Sequence, residues 1–160
     1  MLNTPNNPTG SVYDPEELKK IADIMVEKNI YCISDEIYEK LVYDEAKHIS
    51  MASFGEEIKN KVILINGVSK SYAMTGWRLG YTAAPEDIIA GMSKFQGHCT
   101  SNANSIAQKA SVEALAGDQE SIEYMRGEFD KRRKIIVNHL NEIKGFQCDM
   151  PQGAFYAFPD

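Results

Sequence analysis

The chain has 160 residues, 43% apolar and 25% charged, with 11 Gly and 6 Pro, which excludes a disordered, collagen-like or disulfide-stapled chain. Seventeen basic against 23 acidic residues leave a net charge of -6 with no basic block, which argues against a nucleic-acid partner. Apolar runs such as Val62-Ile63-Leu64-Ile65 are too short to cross a bilayer, the first residues lack the pattern of a secretory signal, and three scattered cysteines (Cys32, Cys99, Cys148) suit a reducing, cytoplasmic setting.

Asp14-Pro15-Glu16-Glu17 starts a helix: Asp14 caps it, Pro15 fits the first helical position, and Glu17 stands where a capping box places a carboxylate. Leu18, Ile21, Ala22 and Met25 continue at helical spacing to about Asn29. Ile30-Tyr31-Cys32-Ile33 and Val62-Ile63-Leu64-Ile65 read as buried strands, and residues 79–84 as a third. A helix followed at once by an all-apolar strand marks an α/β unit with a mainly parallel sheet. The second half is mostly helical. One helix follows Pro85 with Ile88, Ile89, Met92 and Phe95 on one side, and a second runs from about Asn104 to Ala116 and stops at Gly117. A long third helix is capped by Asp118 and carries Ile122, Met125, Phe129, Ile136, Leu140 and Ile143, with Glu128, Lys131, Arg132 and Lys134 as a solvated face. Residues 146–150 and 154–158 read as two short strands around the turn Pro151-Gln152-Gly153. With so few strands, and with ends that fall at strand ends, the chain reads as a piece of a larger protein.

Several chemical motifs fail. Gly67-Val68-Ser69-Lys70-Ser71 lacks the glycine and the Gly-Lys-Ser/Thr order of a phosphate loop. His48, His98 and His139 have no Cys, Asp or Glu at ligand spacing and read as surface or core residues, so no metal is expected. There is no Gly-x-Ser-x-Gly hydrolase elbow. Polar groups do follow each apolar strand, and in an open α/β sheet ligands bind beyond the strands' carboxyl ends. Asn3 to Gly10 precedes the first helix, Ser34-Asp35-Glu36-Ile37-Tyr38 follows the second strand, Ser69-Lys70-Ser71 follows the third, and Arg78 lies beyond. If the strands are parallel neighbours, an amide, a carboxylate, a phenol, an amine and a guanidinium converge on one rim.

Asn3 to Gly10, Ser34 to Asp44 and the run Val68-Ser69-Lys70-Ser71-Tyr72-Ala73-Met74-Thr75-Gly76-Trp77-Arg78-Leu79-Gly80-Tyr81 resemble the three central motifs of class I/II aminotransferases. Pro151-Gln152-Gly153-Ala154-Phe155-Tyr156 resembles that family's entry into its small C-terminal domain, and the resemblance spans the whole chain in order. The Thr-Gly-Trp-Arg-Leu-Gly-Tyr run resembles the prokaryotic-type branch, which includes aspartate and aromatic aminotransferases. The resemblance implies part of the three-layer α/β large domain of a fold-type I transferase that depends on pyridoxal phosphate (residues 1–117). An interdomain helix (118–145) and the start of the small domain (146–160) would follow.

On the same resemblance, Lys70 would join the cofactor aldehyde covalently and then move the substrate's proton as base and acid. Asp35 would keep the pyridine nitrogen protonated, Tyr38 and Asn7 would hydrogen-bond the ring oxygen, Arg78 would grip the phosphate with its planar fork, and Ser69 would add a phosphate contact. Many relatives carry a phosphate-binding serine where this chain has Gly67, a departure that the prokaryotic-type branch tolerates. The implied partners are an amino acid, a 2-oxo acid and a second copy of the full-length enzyme as a homodimer. A C–S lyase using the same lysine and carboxylate is the alternative of the same fold. The alternative of another class is a catalytically inactive fragment or remnant, since the substrate-binding arginine and the aromatic over the ring would lie outside these residues. The bland reading of Asp35 is a turn cap and of Lys70 a solvated loop residue; Tyr72, Trp77 and Tyr81 are expected to pack, and His98 and Cys99 to be structural.

Overall fold

Asp14 lies in extended backbone and its carboxylate accepts from the Glu16 amide at 2.8 Å, so helix α1 runs Pro15–Glu27 in the computed structural model, which describes residues 1–160. The cap bonds Glu16 alone and Glu17 does not close the expected box. Leu18, Ala22 and Met25 form the buried face of α1 and pack with Leu2, Cys32, Met51, Ile58 and Val62 in the main core. Burial of such side chains contributes about 1.5–3 kcal/mol each and holds the helix on the sheet.

Strands β1 (Leu2–Asn3), β2 (Cys32–Asp35) and β3 (Val62–Gly67) run parallel in that order, and β4 (Gly80–Ala83) closes the sheet antiparallel to β3. β2 begins two residues later than the apolar run suggests. After α1 the chain turns through Asn29, at φ 53°, and the Ile30 amide bonds back to the Met25 carbonyl at 2.8 Å. Two residues are used in reaching the register Cys32↔Val62, and Ile30 and Tyr31 are left half-exposed. Ile33 is also exposed, because α1, a 3-10 turn at Met51–Ser53 and the short α2 (Glu56–Lys59) cover only the face that Cys32 and Ser34 share. A strand reads as all-apolar when both faces are buried; here one face is.

Helices α3 (Glu86–Cys99), α4 (Ser105–Ala116) and α5 (Glu120–Glu142) make up the second half. Asn104 caps α4 through the Ile106 and Ala107 amides, Gly117 ends it, and the Asp118 carboxylate accepts from Glu120 at 2.7 Å. No residue of α3 is buried, so its apolar side stays open, with Phe95 exposed. α5 buries Ile122, Val137 and Arg133 and leaves Ile136 exposed, as is Ile143 just past its end, contrary to the apolar periodicity; Lys131, Arg132 and Lys134 are solvated as expected, whereas Glu128 is half-buried. No helix is long and apolar enough to cross a membrane.

The two strands expected at residues 146–150 and 154–158 do not form. Backbone groups there find partners elsewhere, and a buried amide needs a partner but not a ladder. Gly153 donates to the Gly10 carbonyl at 2.7 Å, Ala154 to Leu41 at 2.8 Å, and Gln152 accepts from Tyr43 at 3.0 Å. Only Gln147 and Asp160 bond each other across the turn. Arg133 fastens this segment to α5. Its guanidinium, almost fully buried, donates to the Pro151 carbonyl, Asp44 and Asp130 at 2.7, 2.7 and 2.6 Å and lies 4.6 Å from the Tyr43 ring centroid. Tyr43 in turn donates to the Ala154 carbonyl at 2.5 Å, and burial, partly opposed by Arg133, pushes its phenol up to about 12.

A second buried polar network anchors the end of β2. Glu36 accepts from the Ser34 and Ser50 hydroxyls and the Met51 amide at 2.9, 3.0 and 3.2 Å, and its other oxygen meets His48 Nε2 at 2.9 Å. His48 therefore has a carboxylate neighbour that spacing along the chain does not reveal. Burial by itself raises the Glu36 carboxyl, but the hydrogen bonds and charge of His48 and the bonds from Ser34 and Ser50 outweigh it and hold the group below its usual range.

Two outcomes follow for stability. Glu36→Ala strands two hydroxyls and an amide without their acceptor and should cost on the order of 3 kcal/mol in urea unfolding. Because the folded carboxyl is held below the ordinary 4.5, its contribution is present above that pH and is lost as pH falls through the folded value. The variant should therefore lose part of the wild-type acid limb, and an unchanged limb would contradict the network. Gly10 sits at φ +69°, and a Cβ there would lie 2.4 Å from Pro151 Cβ. Gly10→Ala should lower stability by about 1–3 kcal/mol through overpacking and backbone strain, read as a drop in Tm.

Candidate active site

The parallel strands end on one rim, and each delivers a polar residue there. After β1, Asn3 donates through Nδ2 to the Asp35 carbonyl at 3.1 Å and accepts from the Asn7 amide at 2.9 Å, which fixes the loop that carries Asn7. After β2 come Asp35 and Tyr38. The Asp35 carboxylate accepts from the Ile37 amide at 3.2 Å, so it does cap the turn, as the bland reading expects. Tyr38 is almost fully buried, and its hydroxyl meets the Tyr156 hydroxyl. Asn7 Nδ2 also donates to Tyr156, at 3.2 Å. After β3, Lys70 brings its ammonium nitrogen to 5.6 Å from the ring centroids of both Tyr38 and Phe155, close enough for attraction to the ring faces.

Amide, phenol and amine are thus brought together, with the carboxylate three residues before the phenol. Burial raises the Tyr38 phenol first, the Tyr156 hydrogen bond and charge raise it further, and the Asp35 charge adds to this against a smaller opposing effect of Asn7. Tyr38 accordingly keeps its proton. Arg78 is not joined to this group. It sits exposed at φ 52° on the loop between β3 and β4 and donates to the Thr75 carbonyl, three residues back on the same loop, at 2.8 Å. Ser69 lies half-buried beside Lys70 with no side-chain hydrogen bond to the group.

Gly67 has a structural cause. It pairs with Gly80 across the antiparallel edge, and a Cβ at 67 would lie 3.0 Å from Gly80 Cα and 3.1 Å from the Leu79 carbonyl. A serine three residues before the lysine would press on that strand.

Two site residues carry no role in the sequence reading: Phe155 and Tyr156. Phe155 stacks on Phe129 at 5.1 Å and meets Tyr38 edge-on at 5.5 Å; Tyr156 meets Tyr38 edge-on at 5.7 Å. The signal available was the aromatic pair following Pro-Gln-Gly, but nothing local tells that it reaches Tyr38, 118 positions away. Trp77 and Tyr81, expected to pack, are exposed, whereas Tyr72 is half-buried and donates to Gln119 at 3.0 Å. His98 and Cys99 are exposed on α3. Glu36, Glu39 and His48 bring donor atoms within 4.8 Å of one another, yet both Glu36 oxygens are already engaged by hydrogen bonds, so the trio serves the fold.

The chain is similar to known proteins over its whole length. The family model described as aminotransferase class I and II matches residues 1–160. The chain is 50% identical over 160 residues to an aspartate aminotransferase of Geobacillus stearothermophilus, covering 100% of this chain and 41% of that protein. It is 46% identical to a probable aspartate/prephenate aminotransferase of Aquifex aeolicus, again covering 41% of the relative. Among solved structures, an aromatic aminotransferase from Pyrococcus horikoshii superposes with a TM-score of 0.94 at 44% identity, covering 99% of this chain and 42% of that one. The aspartate aminotransferase of Rhizobium meliloti gives 0.95 at 39% identity, covering 99% and 40%. The chain spans about 41% of the length of the curated relatives it matches. Over all of its residues the chain belongs to the class I and II aminotransferase family.

Proposed function

We propose that the protein carrying this chain is a pyridoxal-phosphate-dependent aminotransferase that transfers an amino group from an amino acid of aspartate or aromatic type to a 2-oxo acid. The observation that carries the reading is the approach of Lys70 to the Tyr38 ring, with the Tyr38 hydroxyl and the Asn7 amide in one hydrogen-bonded set. The donor set fits the cofactor at one end. An amine matches an aldehyde, a phenol and an amide match a ring oxygen, and a carboxylate at the end of the neighbouring strand matches a pyridine nitrogen. For the phosphate, Arg78 and Ser69 offer the right chemistry from the loop that bears Lys70.

Pyridoxal phosphate, when bound, supplies a ring that accepts the electrons released as a substrate carbon loses its proton. The residues divide the remaining work. Lys70 would hold the cofactor and, with its amine free, would serve as the base that takes the substrate Cα proton and the acid that gives it back. Asp35 would keep a proton on the ring nitrogen, Tyr38 and Asn7 would hold the ring oxygen, and Arg78 with Ser69 would hold the phosphate. The names of the relatives, aspartate and aspartate/prephenate aminotransferases, support the substrate class. We further propose that the whole protein acts in the cytoplasm as a homodimer, as the likeness to class I and II aminotransferases implies.

Treatment of the intact protein with pyridoxal phosphate and then borohydride should leave a phosphopyridoxyl group on the peptide containing Lys70. An even spread over surface lysines would overturn the reading. Asp35→Asn separates the chemical role from the cap: asparagine can still accept from the Ile37 amide, so a mere cap survives. Loss of the charge that holds the ring proton should instead slow transamination by about 10²–10³-fold with cofactor still bound. A fall of less than about tenfold would remove Asp35 from the chemistry.

A further inference from the structure

Tyr156 has no part in the division of work above, yet it is the point at which the two ring-oxygen contacts meet. Its oxygen accepts from Asn7 Nδ2 at 3.2 Å and shares a hydrogen bond with the Tyr38 hydroxyl. Asn7 and Tyr38 arrive on separate loops, after β1 and β2, and Tyr156 arrives on a third segment that is itself fastened on two sides. Gly153 bonds Gly10 at 2.7 Å, Arg133 bonds the Pro151 carbonyl at 2.7 Å, and Phe155 lies 5.0 Å from the Tyr156 ring while stacked on Phe129. A hydroxyl delivered by so restrained a segment can set the direction of flexible donors around it.

We infer that Tyr156 is a positioning residue of the site: its hydroxyl ties Asn7 and Tyr38 into one set and so fixes, before any ligand arrives, where those two donors stand. The functional consequence rests on the proposed reading of Asn7 and Tyr38 as contacts of the cofactor's ring oxygen; the tie itself does not. An amide on a loop and a phenol O–H each have a torsion to lose on binding, and a common partner removes that freedom in advance. The tie also keeps Tyr38 a donor, since only the neutral phenol has a proton to give. The titratable and charged groups facing Tyr38 are Asp35, Lys70 and Tyr156, and of these Tyr156 alone is hydrogen-bonded to it.

Tyr156→Phe in the intact protein is the test, because it keeps the ring and its contacts with Phe155 and Tyr38 and removes a single oxygen. The affinity for pyridoxal phosphate, measured by equilibrium dialysis, should fall about three- to tenfold, the contribution of one net hydrogen bond. In the cofactor-free protein labelled with 13C at tyrosine Cζ, the Tyr38 line, assigned by its loss in Tyr38→Phe, should move. It should also begin to titrate at lower pH than in wild type. A Tyr38 line unmoved in position and in pH onset would overturn the tie, and an equal or tighter affinity would overturn its role in positioning. If wild-type protein takes up no pyridoxal phosphate, the cofactor reading fails by itself, and the Tyr38 line still decides whether Tyr156 holds Tyr38.

Discussion

Parallel pairing of β1, β2 and β3 is the constraint from which the site follows. The register places Asn3 beside Asp35 and Asp35 beside Ile65, so three chain segments distant in sequence leave the sheet at one level. The bonds that continue past the strands keep them together: Thr4 donates to the Asp35 carbonyl at 3.2 Å and Glu36 to Ile65 at 2.9 Å. Side chains alternate along a strand, so a slip of one residue would turn Asp35 toward the α1 face and Ser34 away from it. The core prevents that slip, because Leu2, Cys32 and Val62 must all meet α1.

Buried polar groups then hold the loops that the sheet has positioned. Glu36, directly after Asp35, draws Ser50, Met51 and His48 toward the end of β2 and fills both of its oxygens in doing so. Arg133 does the converse from α5: a cation among carboxylates and a carbonyl, it secures the segment that brings Phe155 and Tyr156 to the rim. Isolated charges would be costly at such depth, and both are retained because the Glu36 oxygens and the Arg133 nitrogens are all answered, while His48 Nδ1 is left buried without a partner. The aromatic contacts among Tyr38, Phe129, Phe155 and Tyr156 close the space between these two anchors.

The class of fold and the segments that bear the polar residues were legible because they depend on local rules. Asp14-Pro15 dictates a helix start, apolar runs dictate strands, and polar residues after strands mark a rim. Errors fell where a segment's partner is remote. Residues 146–158 alternate as strands do, but their amides are answered by Gly10, Leu41 and Asn141, so no ladder forms. Ile136 follows the apolar period of α5 and is exposed, while the charged Arg133 is buried, because the face of α5 is chosen by what lies against it.

By itself, the sequence determined which residues could do chemistry and the order in which they follow the strands: Asn7, Asp35, Tyr38, Ser69, Lys70 and Arg78. Whether they meet was decided by tertiary structure. It joined Asn7, Tyr38 and Lys70 around Tyr156 and Phe155, left Arg78 on an exposed loop, and paired His48 with Glu36. The reason is physical: spacing along the chain governs contacts within one helix or strand, whereas contacts between elements are governed by sheet register and core packing. Those depend on all the buried residues at once and on no single stretch of the chain.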